Sequence, residues 1–86
     1  MECATEIQVA AGQVTGYNGI RFGGLAWAPA TASRPARVRV AVRHPAGEFF
    51  ADLREADTLR VAGLVWRLDA IHDYGHSWRA DLTLIS

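Results

Sequence analysis

His72-Asp73-Tyr74-Gly75-His76 is the densest group of reactive side chains in the sequence. Two histidines four residues apart would share a metal ion on a helix. Gly75 and the flanking alternation place them instead in a loop, where that spacing carries no such geometry. A carboxylate beside a histidine can orient it as a general base, yet sequence neighbours on extended backbone point to opposite sides. The reading that follows is a polar hairpin tip in which Asp73 and Gly75 serve the turn. No metal ion and no cofactor is expected, and no catalytic residue can be assigned. Cys3 has no histidine or arginine beside it in sequence to lower its pKa and is read as an inert thiol.

Arginine is the second source of chemistry. The chain has nine arginines and no lysine, balanced by nine carboxylates. Arg37, Arg39 and Arg43 recur on one side of a strand and Arg54 lies on its neighbour, an arrangement that could follow a phosphate backbone. Sites of that kind interleave aromatic side chains for stacking, and a balanced net charge lacks the basic footprint of a nucleic-acid binder. Nucleic acid therefore ranks below other partners. The alternative is a solvated or partner-facing sheet, with Phe50, Arg39 and Arg43 as the interface residues.

The aromatic residues raise a third possibility. Phe49 and Phe50 are adjacent on a strand, so if one fills the core the other is left at a surface or in an interface. Trp27, Trp66 and Trp78 either pack together centrally or line a pocket with Tyr74, and His72 or His76 would then supply the polar contact at its mouth. Core packing is the favoured reading.

These residues must be positioned by a small body. At 86 residues the sequence predicts one β domain over 1–86, burying roughly 60 to 65% of the surface its unfolded chain exposes. Half of the residues are hydrophobic, but 15 of them are alanines, so the core is thin and self-association is expected to add area. With one cysteine there is no intramolecular disulfide, and no apolar run approaches the length of a membrane span. No signal-like segment is read at the N-terminus, and the cytoplasm is the default compartment.

The elements follow from alternation. Glu6 to Ala10, Ile20 to Trp27, Arg37 to Arg43, Glu48 to Arg54, Leu59 to Val61, Leu64 to Ile71 and Trp78 to Ile85 read as strands. Gly12, Gly16 and Gly19, the last beside Asn18, read as turns. Bulges are expected near Gly23-Gly24 and near Asp69-Ala70, because apolar positions change parity there. The strongest pattern is Arg37-Val38-Arg39-Val40-Ala41-Val42-Arg43, and His44-Pro45-Ala46-Gly47 returns it as a hairpin. Its register sets Val42 beside Phe49, Val40 beside Ala51 and Val38 beside Leu53. On the other face it sets Arg43 beside Glu48, Arg39 beside Asp52 and Phe50 beside Ala41. About seven short strands with little or no helix predict a small antiparallel barrel or a two-sheet sandwich.

Phe22-Gly23-Gly24-Leu25, Trp27-Ala28-Pro29 and the segment Asp57-Thr58-Leu59-Arg60-Val61-Ala62-Gly63-Leu64-Val65-Trp66-Arg67-Leu68-Asp69, with Trp78 downstream, resemble a family of small uncharacterised actinobacterial proteins. Members look like Trp-Ala-Pro followed by Asp-Thr-x-x-Val-x-Gly-x-x-Trp-x-Leu-Asp. The resemblance covers most of the chain and weakens at Glu55-Ala56, where the family tends to have a glycine. It implies a β fold and carries no activity, ligand or catalytic residue.

Two functions stay open. The favoured one is a non-catalytic β module that forms a homodimer or docks on a protein partner, since no matched acid, base and nucleophile is assembled. The alternative is a small-molecule-binding or cyclase-like barrel of a natural-product pathway, acting by enclosure in a tryptophan-lined pocket.

Overall fold

Period-two alternation of inward apolar and outward polar residues organises the chain in a computed structural model that describes residues 5–75 and 77–85. The strands are β1 (Glu6–Ala10), β2 (Val14–Tyr17), β3 (Ile20–Ala28), β4 (Arg37–His44), β5 (Gly47–Arg54), β6 (Thr58–Val61), β7 (Leu64–Asp73) and β8 (Trp78–Leu84). Sheet I has the order β1-β8-β7-β6 and sheet II the order β2-β3-β4-β5, with every neighbouring pair antiparallel. The two sheets pack face to face as a sandwich, so the barrel alternative is set aside: neither sheet closes on itself.

The sequence predicts seven strands, and the eighth is β2. Its four residues carry the glycine read as a turn, Gly16, which lies in the strand and pairs with Arg21. The signal that finds it is Asn18-Gly19. Both residues have positive φ, 48° and 83°, the type I′ turn that requires a strand on each side. Ala62-Gly63 repeats this geometry between β6 and β7, with φ of 51° and 80°.

The β4–β5 hairpin has the expected register throughout, including Val42 with Phe49 and Ala41 with Phe50. Both bulges lie close to where parity demands them. In β3 the register shifts between Gly24 and Ala26, which leaves Leu25 exposed and returns Trp27 to the inward side. In β7 it shifts between Leu68 and Ala70, which turns Ile71 inward opposite Ala80.

The core lies between the sheets. Val9, Trp66, Leu68, Ala80 and Leu82 of sheet I meet Phe22, Val38, Val40 and Val42 of sheet II, all fully buried or within 1% of it. Each such large side chain contributes about 1.5–3 kcal/mol of burial. Trp66 is the main pin across the layer, edge-on to Phe22 at 5.5 Å and to Tyr17 at 5.1 Å between ring centroids.

Two corners join the sheets. At one, the chain leaving β1 bonds to both: Ala11 N–H donates to the Trp78 carbonyl at 3.2 Å and Gly12 N–H to the Gly24 carbonyl at 3.1 Å. At the other, the turn after β5 docks on the β7 bulge. There Ala56 N–H donates to the Leu68 carbonyl at 2.7 Å and Leu68 N–H to the Asp57 carbonyl at 2.9 Å. The Ile71 N–H donates to the Glu55 carboxylate at 3.0 Å.

Candidate functional site

The structure separates the residues that sequence reading grouped as a pocket. Trp66 is fully buried and Trp78 is 6% exposed, both in the packed core. Trp27, opposite Val38, packs half-buried against the core, its indole nitrogen buried without an acceptor among the described residues. His76 lies outside the described residues, as does Cys3.

His72 and Tyr74 do come together, but on the outer face of sheet I. The expected loop from His72 to Ser77 is shorter, because β7 continues through Asp73 and pairs His72 with Arg79. That pairing decides the histidine's partner. Its Nε2 lies 2.8 Å from Oδ2 of Asp81 on β8, not near the adjacent Asp73. Asp73 instead accepts from Gly75 N–H at 2.8 Å, the turn-forming role expected of it. Tyr74 stacks on His72 at 6.5 Å, and the Arg79 guanidinium lies 5.9 Å over the Tyr74 ring. The carboxylate fixes the imidazole's orientation, but no hydroxyl or thiol among the described residues bonds to it as a nucleophile would. No group of three metal-ligating side chains occurs among the described residues.

Beside this cluster the β7 bulge turns Asp69 toward Thr83 and Arg67. The Thr83 hydroxyl donates to Oδ2 of Asp69, and the Arg67 Nε donates to its Oδ1 at 2.7 Å. Together they hold the Asp69 carboxyl below the usual carboxylate range, the hydroxyl contributing most.

The outer face of sheet II is built differently. Its registers align four residues across the four strands: Val14 opposite Gly23, Gly23 opposite Ala41, Ala41 opposite Phe50. The two middle residues are small, so the row is a shallow apolar trough with a wall at each end. Val14 is 68% exposed and Phe50 64%. Ion pairs flank it on both sides. Arg43 Nε donates to Glu48 at 2.9 Å, and Arg39 bonds Asp52 in bidentate fashion at 2.9 and 3.1 Å. The Arg39 guanidinium holds the Asp52 carboxyl below its usual range, chiefly through those hydrogen bonds.

Charge is segregated although its total is zero. The strands of sheet II carry Arg21, Arg37, Arg39, Arg43 and Arg54 against Glu48 and Asp52, a net of +3. The strands of sheet I carry Arg60, Arg67 and Arg79 against Glu6, Asp69, Asp73 and Asp81, a net of −1. The cationic face was invisible in the overall balance, because sheet I and the segments outside the strands, with Glu2, Glu55 and Asp57 against Arg34, offset it.

Among the described residues no helix is long and apolar enough to cross a membrane. No model of a protein family, no curated protein and no solved structure matches the chain.

Proposed function

We propose that this chain is a non-catalytic β module that docks onto a protein partner through the outer face of sheet II. The observation that carries the reading is Phe50, a large apolar side chain 64% exposed at the end of the Val14–Gly23–Ala41–Phe50 trough. An aliphatic or aromatic side chain of a partner fits over Gly23 and Ala41, the two small residues of the row, between Val14 and Phe50. Arg39 and Arg43 rim the trough, and the net charge of the face selects an acidic partner. It also disfavours a second copy seated face to face, since that would bring two cationic sheets together. Burial of Trp66 and Trp78 in the core supports this reading over an enclosing pocket, because the indoles that would line the pocket are already covered by the protein itself.

Displayed random peptides panned on the wild type, with counter-selection on Phe50→Ser, test it. The expected binders carry Asp or Glu around an apolar anchor and lose at least tenfold in affinity against Phe50→Ser or Arg39→Glu, about 1.4 kcal/mol or more. Binders indifferent to both substitutions would refute the surface. Native mass spectrometry separates the competing readings. A dimer that survives Phe50→Ser argues against docking by this face, and a retained organic molecule favours the ligand-binding alternative. Tight binding of an oligothymidylate probe, lost in Arg39→Glu, would instead favour nucleic acid.

A further inference from the structure

We propose that the hollow at the loop end of sheet II, lined by Ser33, Arg34, Pro35, Arg37 and Arg54, binds a phosphate monoester. The inference starts from a cost. Arg37 and Arg54 stand directly opposite each other in the β4–β5 register. Like charges so placed destabilise a sheet. Elsewhere on this hairpin the same problem is solved with carboxylates: Arg39 opposes Asp52 and Arg43 opposes Glu48. At this end it is not.

Arg37 has no carboxylate within ion-pair distance among the described residues, and Asp52, the acid whose titration it influences, is already bound at both oxygens by Arg39. Arg54 reaches Asp57 only at 3.6 Å. The loop after β3 then adds a third cation. Thr31 anchors it, its Oγ1 accepting from the N–H groups of Ser33 at 3.4 Å and Arg34 at 3.1 Å while its own N–H donates to the Arg34 carbonyl at 2.8 Å. Ser33 and Arg34 thereby line the same hollow as Arg37 and Arg54.

Three arginines and no carboxylate line the hollow, with Glu55 and Asp57 in the neighbouring one, and a phosphate monoester dianion supplies the missing negative charge. Guanidinium forks match its oxygens in bidentate fashion, and the Ser33 hydroxyl adds a neutral donor. The hollow is open to solvent and measures about 240 Å³, below the roughly 300 Å³ at which drug-sized pockets begin, which is room for a phosphoryl group. Arg37 also lines an adjoining cleft of about 200 Å³, bordered by Ala26, Trp27, Ala28, Arg39 and Asp52. The group esterified to the phosphate would lie there. The site is independent of the Phe50 trough and stands or falls without it.

Thermal unfolding in sodium phosphate and in sodium chloride of equal ionic strength, followed by titration with phenyl phosphate, is the test. Wild type is expected to melt at higher temperature in phosphate. Arg37→Thr, which removes the opposed charge, is expected to match or exceed the wild-type Tm in chloride and to show no phosphate response. Arg34→Ala, confined to the loop and so neutral to the strands, is expected to weaken phenyl phosphate binding at least tenfold. Arg21→Thr is the control, since Arg21 also faces an arginine, Arg43, but lies outside the hollow; its phosphate response is expected to be intact. Equal Tm of wild type in the two salts, a phosphate response retained in Arg34→Ala, or one lost equally in Arg21→Thr would overturn the proposal.

Discussion

At the scale of single residues, Gly24 carries the tightest constraint. A Cβ there would run into the Ala10 carbonyl and come within 2.9 Å of Trp78 Cη2, and backbone cannot yield as a flexible side-chain tip can. Gly24→Ala is expected to cost about 3 kcal/mol or more, read as a fall in urea midpoint, because it separates the sheets at a corner both depend on. Asp69 gives a second residue-level expectation. Its carboxyl is held below the usual range in the folded state, so the stability it contributes is present above about pH 4 and disappears as pH falls through the folded value. The Tm difference between wild type and Asp69→Asn should therefore be largest near neutrality and shrink toward zero in strong acid. A difference that stays constant with pH would assign the effect to packing. The His72–Asp81 contact shows what sequence adjacency hides: Asp73 was the nearer carboxylate in the chain, and Asp81 is the nearer one in space.

At the scale of elements, turns and register explain most of what forms. Ala62 sits at φ 51° in the Ala62-Gly63 turn, a conformation that costs an L-residue roughly 1–2 kcal/mol and suits asparagine better. Ala62→Asn is expected to raise stability by about 0.5–1 kcal/mol, measured as a higher urea midpoint with an unchanged slope. The β4–β5 hairpin was legible residue by residue, since three valines and three arginines alternate and a tight loop fixes which partners meet. The parity breaks likewise disclosed both bulges. β2 was not legible from alternation, because only four residues separate its turns and one of them is glycine. Phe50 was legible as outward from its neighbour Phe49, whereas the trough it closes needed Gly23 opposite Ala41, a β3–β4 pairing across a long loop that no local pattern states.

At the scale of the whole molecule, the sandwich depends on a thin layer of side chains shared by two sheets. Trp66 spans it, fully buried and edge-on to Phe22 and Tyr17 of the opposite sheet. Trp66→Ala is expected to cost about 3–5 kcal/mol, a large share of the 5–15 kcal/mol typical of a whole domain, and circular dichroism should show a partly unfolded population at 25 °C. Retention of wild-type stability would mean that the layer repacks. The sequence by itself determined that the chain is extended and pleated, which face of each long strand is apolar, and how one hairpin pairs, because period-two alternation and turn chemistry act between near neighbours. The tertiary structure decided that two sheets pack without closing, that the indoles are covered, that His72 meets Asp81, and that a neutral chain presents one cationic face with three arginines around a single hollow. Those outcomes depend on which distant strands become adjacent, and adjacency in space is set by burial of the shared core rather than by any short run of residues.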